Sequence, residues 1–107
     1  MGACYLRGWA AEKVKDGKLV RARVEHDGVR LTSVRISGDF YLYPEEGLSE
    51  LERALEGAKL SDDEPALADR VQWAAHEHGL QLVGLTPQAV ARVVLEAARG
   101  AREEVPR

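Results

Sequence analysis

The sequence predicts an α+β fold, a three-stranded antiparallel meander with about three helices packed on one face. Three observations carry that prediction. Two Asp-Gly pairs, Asp16-Gly17 and Asp27-Gly28, lie between segments of strand character; this pair is favoured in two-residue hairpins because both central residues need positive φ. The stretch Ile36-Ser37-Gly38-Asp39-Phe40-Tyr41 sets a glycine, a carboxylate and two aromatics where the strand pattern ends, which suits a chain turning out of a sheet. Beyond it, apolar residues recur at helical spacing between capping residues and glycine stops.

Two-residue turns at both Asp-Gly pairs fix an expected register. Around the first, Val14 faces Leu19, Lys13 faces Val20, Glu12 faces Arg21, Ala11 faces Ala22 and Trp9 faces Val24. One dry face then collects Trp9, Ala11, Val20, Ala22 and Val24. The second turn sets Val24 against Leu31 and Glu25 against Arg30. Val34 and Ile36 fall out of phase with Leu31 unless one residue is inserted at Thr32-Ser33, so a β-bulge is predicted there, with Val34 opposite Ala22 and Ile36 opposite Val20. The other face carries Arg21, Arg23, Arg30 and Arg35, with Glu12 and Glu25 among them. It reads as a solvated face with cross-strand charge pairs, or alternatively as a partner- or anion-facing surface.

Pro44 with Glu45-Glu46 suits the first turn of a helix, with Leu48, Leu51 and Leu55 as its stripe and Gly57 as its stop; a restart at Ser49 is the alternative boundary. A capping box at Ser61-x-x-Glu64 opens the second helix, whose stripe is Leu67, Val71, Ala74, Ala75 and His78, ending at Gly79. Leu80 to Leu85 is a short connector with extended character. Thr86-Pro87 opens the third helix as cap and first residue; Val90, Val93, Val94 and Ala97 face inward, and Arg99-Gly100 closes it. Residues 101–107 are expected to fray.

The 107 residues make one domain, 1–107. A net charge of -3 gives no general pull toward nucleic acid or anionic lipid. The single cysteine, Cys4, excludes an intrachain disulfide and agrees with a reducing compartment. No apolar run approaches the ~20 residues of a membrane span, and the N-terminus lacks the layout of a signal peptide. The expected location is cytoplasmic.

The sequence supplies no self-sufficient active site and no metal centre. His76 and His78 lie two apart, about 200° around a helix, and cannot share an ion. Cys4 lacks a visible base. Asp39 reads as a turn residue that bonds nearby amides, in preference to a general acid or base. The glycines make no phosphate loop. Trp73, beside the stripe of the second helix, reads as core packing, with a partner anchor as the rival.

The run from Asp16 to Gly57 resembles the C-terminal accessory domain of lipoate–protein ligases. The resemblance is carried by Gly17-Lys18, by Asp27-Gly28 followed by Val34 and Ile36-Ser37-Gly38-Asp39-Phe40, by Pro44-Glu45-Glu46, by Leu51-Glu52 and by Leu55-x-Gly57. The second half matches in layout, two helices with the later opened by Thr86-Pro87. Asp16 departs from the glycine that family members often have there. In that family a large catalytic domain binds lipoate and ATP, makes lipoyl-adenylate and passes lipoyl to a lysine of a carrier domain. The small domain, similar in fold to iron–sulfur scaffold proteins, is a separate polypeptide in some organisms. With its initial methionine and no room for a catalytic half, this chain resembles that separate small subunit.

The resemblance implies a partner, the large catalytic subunit, and indirectly lipoyl carrier domains, with no nucleic acid and no membrane. It implies no cofactor bound by this chain alone, with ATP, Mg and lipoate held at the complex. Lys18, Ser37, Gly38, Asp39, Phe40 and Tyr41 are the docking or lid candidates, because Lys18 opposes Gly38 at one end of the expected sheet. A non-catalytic interaction module using the arginine-bearing face is an alternative. So is an iron–sulfur scaffold-like protein, against which the lone Cys4 counts.

Overall fold

The computed structural model describes residues 5–13 and 18–104; Cys4, Val14, the Asp16-Gly17 pair and residues 105–107 lie outside them. In chain order the elements are β1 (Tyr5–Lys13), β2 (Leu19–His26), β3 (Leu31–Gly38), β4 (Tyr41–Tyr43), a 3-10 turn (Glu45–Gly47), α1 (Leu48–Leu55), α2 (Glu64–Glu77), β5 (Gln81–Val83), α3 (Pro87–Arg99) and β6 (Arg102–Glu104). The architecture is α+β as expected. The meander of β1, β2 and β3 is present, and β6 extends it to the order β3-β2-β1-β6. A separate ribbon pairs β4 with β5.

Part of the C-terminal segment expected to fray instead forms β6, pairing Arg102 with Arg7 and Glu104 with Tyr5. The edge of β1 explains this, because an unpaired strand edge leaves backbone N–H and C=O groups without partners.

The first hairpin departs from the expected register by one residue. Lys13 pairs with Leu19, Glu12 with Val20, Ala10 with Ala22, Trp9 with Arg23 and Gly8 with Val24. The two-residue turn expected at Asp16-Gly17 lies outside the described residues. Since side chains alternate across a strand, a slip of one exchanges the faces. Gly8 and Ala10 turn toward the helices, while Ala11 is exposed and Trp9 is 78% exposed. The physical reason is the approach of α3. A Cβ on Gly8 would collide with the carbonyl oxygen of Ala97 and lie 2.9 Å from Cα of Ala101. The smallest residues of β1 must face that helix, and a tryptophan there has no room.

In the second hairpin the bulge lies where it was predicted. His26 pairs with Leu31 and Glu25 with Ser33, leaving Thr32 as the extra residue. Beyond the bulge, Val34 opposes Val24, Ile36 opposes Ala22 and Gly38 opposes Val20, two residues from the expected pairing. A slip of two preserves the faces, so Leu31, Val34 and Ile36 are all buried as expected. The turn is wider than two residues but still belongs to Asp27-Gly28. Asp27 Oδ1 accepts from the N–H groups of Val29 and Arg30, each at 2.9 Å, and Gly28 takes φ +95°. These amide bonds, foremost that from Arg30, hold the Asp27 carboxyl below its ordinary pKa. The support they give the turn is present above the ordinary carboxylate value and is lost as pH falls through the lowered one.

The helices cover the face formed by Val20, Ala22, Val24, Val34 and Ile36. After the 3-10 turn, α1 buries Leu51 and Leu55. Helix α2 starts at Asp63, which accepts from the Ala66 N–H at 3.0 Å, and not at the expected Ser61 box. Pro65 decides this: a cap at Asp63 places it in the first turn, where its missing N–H does no harm. Leu67, Val71 and Ala74 are buried as predicted, while His78 caps the far end exposed. Thr86 caps α3 by accepting from the Ala89 N–H, as predicted. Val90, Ala91, Val93, Val94 and Ala97 of α3 are fully buried, making it the central helix between sheet and α2.

The Gly8 contact predicts that Gly8→Ala lowers stability by about 1–3 kcal/mol in urea or thermal melting, since the helix must move away. Trp9→Ala stays within about 0.5 kcal/mol of wild type. Losses in the reverse order would place Trp9 against the helices.

Candidate functional site

The exit from β3 is built as its residue types require. Gly38 adopts φ +150°, and a Cβ there would collide with the Leu19 carbonyl. The next amide, Asp39 N–H, donates to that same carbonyl at 2.8 Å. The backbone of Asp39 thus holds the turn, whereas its side chain was expected to do so; the carboxylate is exposed. Phe40 packs half-buried against the core and anchors the exit. Tyr41 then opens the β4–β5 ribbon opposite Val83, with Leu42 directed inward and Tyr41 and Tyr43 more than half exposed.

Lys18 reaches this place from the other side. Its ammonium lies 5.6 Å from the centroid of the Tyr41 ring, within cation–π range. Its stem lies over Gly84, where a Cβ would sit 2.6 Å from Lys18 Cδ. Of the six expected residues, Lys18, Gly38, Asp39, Phe40 and Tyr41 share one end of the molecule. Ser37 stands beside Gly38 at that end, but in the opposite phase of β3, so its side chain faces the open side of the sheet. Lys18 does not oppose Gly38 in the ladder; Val20 does.

The same strand carries a feature absent from the expectation. β3 is an edge, and α1 covers it. The Ile36 N–H donates to Glu52 Oε2 at 2.8 Å, and Glu52 is 8% exposed. Farther along, the Leu31 N–H donates to the Ala58 carbonyl at 2.9 Å and the Gly57 N–H to the Leu31 carbonyl at 2.7 Å. The edge is thus closed by helix and loop.

The open face is the second surface. Trp9, Ala11, Arg21, Arg23, Arg35 and Ser37 line a shallow hollow of about 610 Å³. Two residues expected here are elsewhere. Glu12 turns toward α3, where Arg92 donates to it at 2.8 Å and also lies 3.5 Å from Glu64; the bond to Glu12 chiefly raises the Arg92 pKa. Arg30 donates to the Gly57 carbonyl at 2.9 Å, beside the turn. Glu25 stays on this face and accepts from Arg7 at 2.6 Å. The alternation of Arg7, Trp9, Ala11 and Lys13 with Gly8 and Ala10 is the sequence signal that could have placed Trp9 outward.

Trp73 is 61% exposed on α2, so the core-packing expectation does not hold; it borders a groove with Arg53, Ala54, Glu56, Asp69 and Arg70. His78 Nε2 lies 3.4 Å from Glu50 Oε2. Among the described residues no group of three or more His, Cys, Asp or Glu is gathered in a way that could hold a metal ion. Among the described residues no helix is long and apolar enough to cross a membrane. What these surfaces offer is contact: exposed aromatics, cations and backbone held in fixed geometry.

No family model matches the sequence. Lipoate-protein ligase A subunit 2 of Thermoplasma acidophilum is 35% identical over 60 residues, 56% of this chain and 60% of that protein. The match therefore spans less than two thirds of the relative's length. In structure, the chain superposes with TM-score 0.56 and 27% identity on a chain of the archaeal lipoylation system of Thermoplasma acidophilum, described as a bipartite lipoate protein ligase and its E2 lipoyl domain. That superposition covers 91% of this chain and 96% of the other. The chain is similar in sequence to lipoate-protein ligase A subunit 2 over 60 residues, and similar in fold to a chain of that lipoylation system over nearly its whole length. These similarities accord with the resemblance carried by the Asp16–Gly57 run, and the superposition extends the likeness in fold to the second half.

The Glu52 contact yields a prediction for the strand above the site. Glu52→Ala strands the Ile36 N–H and lowers stability by about 1–3 kcal/mol, whereas Glu52→Gln, which keeps an acceptor, loses less than half of that. Equal losses in chemical denaturation would mean that charge, and not the hydrogen bond, is what Glu52 supplies.

Proposed function

We propose that this chain is the accessory subunit of a bipartite lipoate–protein ligase. It docks on a separate catalytic subunit and supports ATP-dependent formation of lipoyl-adenylate there, with ATP, Mg and lipoate held at the complex. Lipoyl carrier domains are reached indirectly, through the partner. The observation that carries this reading is the superposition on a component of a two-part ligase system over nearly the whole of both chains. The sequence match to a protein named as a ligase subunit supports it.

The physical role follows from the reaction. Adenylation develops charge on phosphate and proceeds best with water excluded, so a piece that closes over the pocket raises its rate. The end of the molecule carrying Lys18, Gly38, Asp39, Phe40 and Tyr41 suits that task. It presents a cation already seated against an aromatic ring, and Phe40 roots the loop in the core. Ser37, beside Gly38, turns its side chain to the open face of the sheet.

The reading is tested by mixing this chain with the catalytic subunit, lipoate and ATP and measuring lipoyl-adenylate with and without it. Addition increases the rate; no gain sinks the proposal. Phe40→Ala lowers stability by about 1–2 kcal/mol, as expected for a half-buried ring, and weakens the stimulation. Lys18→Ala stays within about 0.5 kcal/mol in stability and loses stimulation. Full stimulation by a folded Lys18→Ala would free this end of the molecule from the role.

A further inference from the structure

We infer that the open face of the sheet is the surface that grips the catalytic subunit, through a carboxylate-rich patch surrounding an apolar recess on that partner. The inference rests on the accessory-subunit reading and adds to it the face, the anchor and the chemistry of the opposing surface.

The register sets one row of side chains across the sheet: Trp9 beside Arg23, and Arg23 directly opposite Arg35. Like charges directly opposite one another destabilise a sheet, and here nothing on the molecule fully relieves them. Among the described residues Arg21 and Arg23 have no ion pair. Arg35 approaches Glu52 only to 4.0 Å and keeps 77% of its side chain exposed. The one carboxylate of this face shown in an ion pair, Glu25, is engaged by Arg7. A chain of net charge -3 thus gathers unneutralised guanidinium groups on the side that no helix covers.

Trp9 supplies the complement. At 78% exposure it is the most exposed large apolar residue described, and it borders the hollow lined by these arginines. Tryptophan and arginine together are the residue types on which binding energy concentrates in protein interfaces. Guanidinium groups recognise carboxylates in paired, planar geometry. A second copy of this chain is a poor occupant in a symmetric face-to-face pair, since the two-fold axis would set arginines against arginines. The acidic overall charge disfavours nucleic acid.

The test measures binding of the full chain to the catalytic subunit at low and high salt. Wild-type affinity should fall as salt rises from about 50 mM to about 500 mM. Trp9→Ala should weaken binding about thirtyfold, and Arg23→Glu should slow association about tenfold and flatten the salt dependence. Both positions are exposed, so circular dichroism should show folded variants; Trp73→Ala, on the far helix, should bind as wild type. If wild type binds and Trp9→Ala and Arg23→Glu bind equally well, this inference falls and the accessory role stands. If wild type does not bind the catalytic subunit, both fall. Loss with Trp73→Ala alone moves the interface to α2. A wild-type dimer abolished by Trp9→Ala, or capture of an oligonucleotide abolished by Arg23→Glu, with partner binding unchanged, would give the face to another occupant.

Discussion

Helix α3 lies so close to β1 that only hydrogen fits between the Gly8 Cα and the Ala97 carbonyl, and much of the molecule follows from that contact. Close packing in an interior leaves no slack for a side chain at such a point. Gly8 must therefore face the helix, Ala10 follows it, and Trp9 and Ala11 are turned to solvent. The same phase sends Glu12 toward α3, where it meets Arg92; that arginine also reaches Glu64, so a single guanidinium links strand and two helices. The pair is partly exposed, and its contribution to stability is correspondingly small. Its geometry nevertheless agrees with the register that the glycine imposes.

The edges of the main sheet are managed differently from its faces. On one side β6 pairs with β1; on the other, Glu52 accepts from the Ile36 N–H and the segment from Gly57 to Leu60 bonds to the backbone of Leu31 and Val29. A protected edge offers no template for strand addition. What remains available is a whole face, bearing Trp9 and the arginines, and the ribbon end bearing Lys18 and Tyr41. Both are suited to contact, in accord with the accessory role proposed above. The two surfaces divide the work proposed here, one gripping and the other closing.

Much of this was legible from local chemistry. Thr86-Pro87 gave the start of α3, Asp27-Gly28 a turn held by side-chain and backbone bonds, Gly38 the exit from the sheet, and Thr32 the bulge. The expected pairing of β3 was off by two residues, yet its buried set was right, because side chains repeat every second residue along a strand. The start of α2 was misread although Pro65 was there to correct it. Glu52 was hidden for another reason: its buried carboxylate answers an amide 16 residues away, and no local pattern encodes that partner. Trp73 likewise lies at the margin of its helical stripe, where only the packed neighbours decide between core and surface.

By itself, then, the sequence determined the meander of β1 to β3, the three helices in their order, and the buried sets of β2, β3 and α3. Tertiary structure decided the phase of β1, where glycine and alanines alternate with a tryptophan and another alanine. Hydrophobicity favoured burying the tryptophan; the space left by α3 admitted only the small residues. Burial is worth nothing where there is no volume to receive the side chain, and volume is a property of the assembled layers, not of the strand.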